Sequence, residues 1–440
     1  MSAAPVKVPP QTVLVLGAYG LIGAEVCAAL FRAGHLVRAA GRDPDAAAKR
    51  LPDLPFVALD MAQLTDSGDW AAPLDGVDVV VNCAGALQDG ARDSLEPLHH
   101  HALAALAQAA KTRDTLVIQI SAIGADLDSP LVFLASKARG DAALLASGAR
   151  AVVFRPGLVL AQGAYGGTAL VRLLAAVPYL QPLALPNAQM QCVSATDVAD
   201  AVVKAVAGYV PTGQIFDLVE TSPQSLRDII AGHRAALGFN PARREWVAPD
   251  WMLGVTGWVA DKLGHLGWRS PLRSTATKVL RYDLTGDPTP WNSHDRPLPE
   301  MPAILKNLNL GPEHRLQARM ALLMPICVAV LALFWAFSGL MGLISLDRAA
   351  AQLTAQGWGD GMARASVVFW SLIDMALAVA LLWRPWAQRA CLGMIAVCLI
   401  YLGLGTLVTP AMWLDPLGPL PKIAPALVLS LVTWALLEER

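Results

Sequence analysis

The chain is poor in charge. Only 16% of its 440 residues are Asp, Glu, Lys or Arg, and they nearly cancel to a net charge of −1. No basic surface is available for nucleic acid, so that partner class is excluded. Cysteine is sparse too: Cys27, Cys83, Cys192, Cys327, Cys391 and Cys398, with no CxxC pair. This rules against a disulfide framework and a zinc site, and fits a reducing compartment. The N-terminal stretch lacks the apolar core and cleavage site of a signal peptide, and the run Val13–Leu16 is too short to replace them. The first domain is therefore expected in the cytoplasm. No repeat of roughly 20–50 residues is visible.

What the chain has is hydrophobicity. Its mean hydropathy of +0.46 is unusual for a soluble protein. The longest unbroken apolar runs lie beyond Arg319. The length allows two or three domains.

The first half alternates short apolar runs with Ala-rich helical stretches. The runs are Thr12–Leu16, Leu36–Ala40, Phe56–Leu59, Val77–Asn82, Leu116–Ser121 and Ala151–Arg155. They are rich in Val, Ile and Leu and bounded by Gly, Asp or Pro. Apolar strands separated by helices imply a parallel sheet covered on both faces. The expected class is α/β, a doubly wound parallel Rossmann sheet.

From Thr221 to about Pro312 the pattern changes, and an α-rich lid or linker is expected. Ser225 should cap a helix with Asp228 three residues on, and Gly238 should end it. Trp251, Val255, Trp258, Leu263 and Leu266 recur near helical spacing. We read this stretch first as a core-packing or substrate-lid helix, with a helix in the membrane interface as the alternative. The Pro-rich segment from Trp291 to Leu308 reads as loop.

Four later runs read as an all-α transmembrane bundle: Ala321–Leu346, Ala365–Trp383, Ala390–Thr409 and a shorter one at Ile423–Leu437. A span takes roughly 20 residues. Ala321–Leu346 carries no charge, so it offers no polar face to a soluble bundle. Lys306, Arg315 and Arg319 precede the first span, Arg384 and Arg389 flank the second loop, and Arg440 ends the chain. The opposite loops mix Arg348, Arg364 and Lys422 with Asp347, Asp360 and Asp415. This bias implies a multi-pass protein of the inner (cytoplasmic) membrane, with the Rossmann domain and both termini cytoplasmic. The expected domains are 1–220, 221–312 and 313–440. Trp358, Trp383, Trp386 and Trp413 fall at span ends. Asp374 falls mid-span, where a carboxylate costs roughly 2.5–3.5 kcal/mol and needs a partner or cavity.

One motif carries cofactor chemistry. After the first strand come Gly17, Ala18, Tyr19, Gly20, Leu21, Ile22 and Gly23. Gly17 permits a tight turn, Gly20 lets backbone approach a pyrophosphate, and Gly23 lets the helix pack on the sheet. The helix start offers unpaired N–H groups to phosphates.

The GxxGxxG spacing resembles the extended and atypical short-chain dehydrogenase/reductases. Further matches follow in that family's order. Arg42 stands at the end of the second strand, where NAD-selective members show an acid; a guanidinium suits a 2′-phosphate, so NADP(H) is favoured over NAD(H). Asp43 and Pro44 look like an N-cap and first helical residue. Asp60 and Met61 resemble the contact near adenine. Asn82-Cys83-Ala84-Gly85 resembles the fourth-strand motif whose backbone passes along the cofactor, here through Ala84 and Gly85. Ser121 matches the strand of the family's catalytic serine, Arg155-Pro156-Gly157 the element near the nicotinamide, and Val193–Ala199 a family helix start.

The catalytic pattern then breaks. The family places a Tyr and a Lys four residues apart on one helix face. The lysine lowers the phenol pKa and holds the ribose, and the phenol moves the proton. Here Lys137 is present, but the tyrosine position is Phe133, which has no proton to give. The protein either binds dinucleotide without turnover, uses another acid such as Ser121, Lys137 or a substrate group, or runs a reaction that needs no phenol. A missing Tyr with the Lys present resembles the accessory subunit of respiratory complex I. His99-His100-His101 is read as a solvated helix start, not a metal site, because adjacent helical residues point apart.

Trp268–Arg273, Gly286-Asp-Pro and spans beginning Phe334-Trp335-Ala-Phe-Ser338-Gly339 resemble bacterial short-chain dehydrogenase proteins fused to a DoxX-like membrane module. Three functions follow from these resemblances. The first is a membrane-tethered oxidoreductase acting on a lipid-phase substrate such as a quinone or isoprenoid. The second is a non-catalytic NADP(H)-binding subunit of a membrane complex. The third is an NAD-dependent epimerase/dehydratase-like enzyme.

Overall fold

Strand β1 (Thr12–Leu16) is buried on both faces beyond its first residue, as its unbroken apolar run requires. This computed structural model describes residues 9–87, 89, 94–268, 278, 281–408, 410–416 and 418–438. Arg269–Arg273, Thr409 and Arg440, which figure in the sequence readings, lie outside the described residues. After β1 come α1 (Leu21–Arg32), β2 (Leu36–Gly41), α2 (Pro44–Arg50), β3 (Phe56–Ala58) and β4 (Val79–Asn82). Then follow α3 (Ala102–Arg113), β5 (Leu116–Ile120), α4 (Val132–Ala146) and β6 (Ala151–Pro156). Next are β7 (Leu158–Leu160), α5 (Gly167–Ala175), β8 (Leu180–Leu183), β9 (Gln189–Met190), β10 (Cys192–Ser194), α6 (Ala195–Val206) and β11 (Gln214–Leu218).

Seven strands form one parallel sheet in the order β11-β6-β5-β4-β1-β2-β3. Alternate residues divide its two faces. Val13, Val15, Val81, Ile118 and Phe154 pack with α1 and α6, while Leu14, Leu16, Val80, Val117 and Val153 pack with α3 and α4. The doubly wound Rossmann expectation is met. Its six runs became β1 to β6 with small shifts at the ends. The seventh strand, β11, was absent from that reading. Among the described residues it pairs only with β6, at the sheet edge, and its polar Gln214 and Asp217 break the apolar run.

Short strand pairs extend the fold: β7 with β10, β9 with β12 (Gln224–Ser225), and β8 with β13 (Arg244–Val247). α7 (Leu226–Ala236) starts as expected, with the Ser225 hydroxyl accepting from the Asp228 N–H, and Gly238 follows it at φ +68.

Two details differ from expectation here. Of the two roles first read for helix α8 (Asp250–His265), core packing is ruled out, because Trp251, Val255 and Trp258 are exposed. The segment after Trp291 is not a simple loop. Trp291 is buried edge-on against Phe154 and Phe216, and Met301–Asn307 is helical. Glu220 anchors this segment: one carboxylate oxygen accepts from Cys192 N–H and the other from Met301 N–H, both at 2.7 Å.

The chain divides into two compact units, one drawn from Met1–Val259 and Pro271–Arg315, the other from Ala260–Ser270 and Leu316–Arg440. The second unit is helical. Among the described residues, three helices are long and apolar enough to cross a membrane: Pro312–Ile344, Asp360–Leu382 and Arg384–Leu407. The apolar helix Ile423–Glu438 is shorter. The expected first span ends early, because a separate helix begins at Leu346. Leu333, Phe337, Val379 and Leu407 point outward, as lipid-facing residues do. Gly339 lets two helices approach closely, since a methyl there would lie 2.4 Å from the Ser371 carbonyl. Asp374 is buried, and its carboxylate accepts from the Ser338 hydroxyl at 2.8 Å, which meets the expectation of a partner.

Candidate functional site

The sheet order fixes where a ligand can sit. From β1 the chain proceeds to β2 and β3 on one side and then to β4, β5 and β6 on the other. The β1 carboxyl end is thus the switch point, where the flanking connections part and leave a crevice.

The β1–α1 turn fills the base of that crevice with backbone. Gly17 has φ +68, a left-handed conformation that costs an L side chain roughly 1–2 kcal/mol. A methyl on Gly17 would also lie 2.8 Å from the Ala84 nitrogen. Gly23 packs so tightly that a methyl would lie 2.3 Å from the Gly17 carbonyl oxygen. Gly20 differs. It has ordinary extended backbone, and a methyl there would meet only the Gly17 carbonyl oxygen, at 3.1 Å. No side chain caps α1, and its first turn, with Leu21 and Ile22, holds no acid. Backbone N–H groups and the positive end of the helix dipole therefore face the crevice, an arrangement suited to a diphosphate.

Beyond β1, Tyr19 lies across the end of β2, so close that a methyl on Gly41 would lie 2.5 Å from its ring. Arg42 is exposed at the same end. The Asp43 carboxylate accepts from Ala46 N–H and Pro44 opens α2, as expected. After β3, the Asp60 carboxylate accepts from Ala62 N–H, and Met61 is buried beside it.

On the other side, Asn82 shapes the loop after β4. Its side-chain oxygen accepts from Ala84 N–H, and its amide donates to Gln119 at 2.7 Å. Lys137, on α4, is buried and donates to the Ile120 carbonyl at 3.0 Å. A methyl on Gly85 would lie 3.6 Å from Lys137 Nζ and from His99 Nε2. Burial pushes the Lys137 ammonium below its ordinary pKa, against the attraction of Asp141.

Ser121 is also buried, with its hydroxyl donating to Asp141 at 2.7 Å. Asp141 accepts two further bonds from Arg155, and burial raises its pKa despite these donors. Pro156 ends β6, and its carbonyl accepts from Ile123 N–H.

His99 corrects the sequence reading. It is buried, not solvated. It lies on a π-helical turn, Pro97–His101, that precedes α3. Gly140 admits this turn, since a methyl there would lie 1.9 Å from the His99 carbonyl oxygen. The bonds assign the tautomer. Ser136 gives its own proton to the Phe133 carbonyl, so His99 Nδ1–H donates to Ser136 Oγ at 2.9 Å. His99 Nε2 then accepts from Ala86 N–H at 3.2 Å. Burial, with Lys137 nearby, pushes its pKa down to about 3, so the ring is neutral. Phe133 meets it edge-on, with ring centroids 5.8 Å apart. His99, Asp141 and Gln119 were missed in the sequence reading because their roles depend on partners far along the chain. Glu96, His100 and His101 bring ligand atoms within 4.8 Å of one another, but both Glu96 oxygens already bond Arg139.

Residues 17–208 match the NAD(P)H-binding family model. Residues 332–431 match the DoxX-like family model. The chain carries an NAD(P)-binding Rossmann domain and a DoxX-like membrane domain. Among solved structures, the WbmH enzyme of Bordetella bronchiseptica in complex with NAD+ is 16% identical, with TM-score 0.51, covering 69% of this chain and 98% of that one. Pal from Bacillus thuringiensis is 15% identical, with TM-score 0.51, covering 68% of this chain and 98% of that one. At such identities the likeness establishes the fold. None of the curated proteins matches this chain.

The NAD(P)-binding domain brings the expected residues into two groups beside the Gly17–Gly23 turn. Arg42, Asp60 and Met61 lie past β2 and β3. Ala84, Gly85, Phe133, Lys137 and Pro156 lie past β4, on α4 and at the end of β6. Ser121 is drawn beneath them by Asp141.

Proposed function

We propose that this protein is a membrane-tethered NADP(H)-dependent oxidoreductase that acts on a lipid-phase substrate such as a quinone or an isoprenoid. The observation that carries this reading is Lys137, buried beside Gly85 at the end of β5 with Phe133 one helical turn before it. The reduced nicotinamide, when bound, supplies a hydride. The amides of Gly17–Gly23 hold the diphosphate, Arg42 takes the 2′-phosphate, and Asp60 and Met61 border the adenine. Ala84, Gly85 and Pro156 border the nicotinamide end.

In this reading Lys137 holds the ribose and supplies the proton. Its lowered pKa makes it a stronger acid than an ordinary lysine. Ser121 serves as a positioning residue, because its hydroxyl is committed to Asp141. The substrate class follows from the missing phenol. Reducing an ordinary ketone makes an alkoxide, a base about as strong as the hydroxide formed from water. Reducing a quinone makes a phenolate, with a pKa of about 10. A weaker base needs less help from an acid, so the loss of roughly 10²–10⁴ expected without one is smaller. Phe133 also presents an apolar wall to an apolar substrate.

The domain at 1–220, the lid at 221–312 and the membrane part at 313–440 are the division this reading uses. It sets the NAD(P)-binding domain and both termini on the cytoplasmic side of the inner membrane, on the strength of the Arg and Lys placement.

A second reading, a non-catalytic NADP(H)-binding subunit of a membrane complex, is favoured by Phe133 itself. An epimerase or dehydratase stands third, because that chemistry also uses the missing phenol. The deciding experiment follows NADPH oxidation by the full chain in proteoliposomes with a panel of quinones and lipid carbonyls. Wild-type turnover that falls at least 100-fold in Lys137→Met supports the oxidoreductase. Tight NADPH binding without turnover, with activity gained only in Phe133→Tyr, supports the second reading.

A further inference from the structure

Helix α8 is built the wrong way round for a soluble protein. At about 100° per residue, Trp251, Val255, Trp258, Val259 and Lys262 fall on one arc of roughly 100°. All five are exposed; Trp251 is 69% and Trp258 62% exposed. Leu253, Gly257 and Ala260 on the opposite arc are buried. The large apolar side chains therefore face outward, and the buried face is small. A contiguous apolar patch of this kind marks a surface that another apolar phase covers.

The covering phase is identified by the helix's own end. From Ala260 onward the segment belongs to the helical unit that carries the spans. The Trp268 indole N–H donates to the Leu382 carbonyl at 2.6 Å, where the helix Asp360–Leu382 ends. The Arg384 N–H donates to the Leu266 carbonyl at 3.0 Å, and the Arg384 guanidinium lies 5.8 Å from the Trp268 ring. Beside them Trp383 and Trp386 stack at an angle of 8°, half exposed. Stacked tryptophans and arginines at a span end mark the headgroup level of a bilayer. The exposed arc of α8 has the matching chemistry: two indoles and two valines, with one lysine whose stem can reach past them to the headgroups.

The geometry points to α8 as an interfacial helix, lying in the lipid headgroup layer at the Leu382–Arg384 end of the spans. An arc that sinks about 5–10 Å into the headgroup boundary is the usual depth for such helices.

The test places nitroxide labels on the full chain in liposomes of phosphatidylcholine and phosphatidylglycerol. Val255→Cys and Trp258→Cys sample the arc. Tyr209→Cys, an exposed position after α6, serves as the aqueous reference. The unsubstituted chain reports background labelling of its native cysteines. The ratio of collision rates with oxygen to those with a water-soluble nickel chelate should be several-fold higher at 255 and 258 than at 209. Equal ratios at all three sites would overturn the proposal, since the arc would then lie in water. So would shielding of 255 and 258 from both reagents, since a protein partner would then cover them. The Val255 substitution is small, which keeps the test decisive should Trp258→Cys perturb the helix.

Discussion

Two alanine substitutions, three residues apart, separate folding from binding in the first turn. Gly17→Ala meets two penalties in the structure. Its φ of +68 costs an alanine about 1–2 kcal/mol. Its methyl would sit 2.8 Å from the Ala84 nitrogen and 2.9 Å from the Ala84 Cα, forcing backbone to move at a further cost of about 1–2 kcal/mol. Together these give about 2–4 kcal/mol, or a melting temperature lowered by roughly 5–15 °C for a unit of this size. Gly20→Ala meets neither. Its φ of −67 suits any residue, and the methyl needs only a few tenths of an ångström from the Gly17 carbonyl. It should unfold within a few degrees of wild type. Yet its methyl enters the space where backbone N–H groups meet the diphosphate, so affinity for NADPH and NADH should fall at least tenfold. The assay is thermal unfolding of the full chain in detergent without nucleotide, paired with titration calorimetry. Wild-type nucleotide affinity in Gly20→Ala would refute the reasoning, as would an unchanged melting temperature in Gly17→Ala.

Arg42→Ala removes charge-assisted hydrogen bonds to a 2′-phosphate, worth about 1.5–3 kcal/mol. NADPH affinity should drop roughly 10- to 100-fold while NADH affinity stays put; calorimetry showing equal change for both would sink the NADP(H) preference. Glu220 is raised to about 7 by burial, against 4.5 for an ordinary glutamate. The folded state thus holds the proton more tightly, so its stability contribution is full below about pH 4.5 and declines as pH rises through 7. Glu220→Gln should abolish that slope in unfolding curves taken across pH. It should also cost about 1–3 kcal/mol, by leaving the N–H of Cys192 or Met301 without an acceptor.

Local signals carried most of the fold. The strands β1, β4, β5 and β6 announce themselves because they are buried on both faces, so apolar residues run through most of their length. Asp43 and Ser225 were legible as caps because each satisfies an N–H only three residues away. Tertiary facts were not legible. His99 looks like one of three solvated histidines until Gly140 and Ser136, some forty residues later, make room for it and bond it. Trp291 sits among prolines and reads as loop, yet Phe154 and Phe216 enclose it. For α8, periodicity identified the face but could not say which phase covers it. The cofactor turn was legible in full as a pattern. The commitment of Ser121 to Asp141 was not, since the hydroxyl's direction depends on a carboxylate twenty residues along on α4.

In the proposed reaction Phe133 changes the source of the proton and little else around it. Lys137 is held by Ile120, the loop after β4 is braced by Asn82 and neutral His99, and Arg155 and Ser121 share Asp141 below. Neutral His99 is unsuited to replace the phenol, because its Nδ1 proton is committed to Ser136 and its Nε2 accepts from Ala86. Lys137 is thus the acid that the proposed reaction leaves available. An acid works in its protonated form, so turnover should be flat at low pH and fall as pH rises through the Lys137 pKa. Burial sets that pKa below the ordinary lysine value of 10.5. Phe133→Tyr should add a second, phenolic acid and extend activity to higher pH, a change visible in kcat profiles with a quinone acceptor. A profile in wild type that does not respond to Lys137→Arg, whose guanidinium cannot release a proton in this range, would remove lysine from that role.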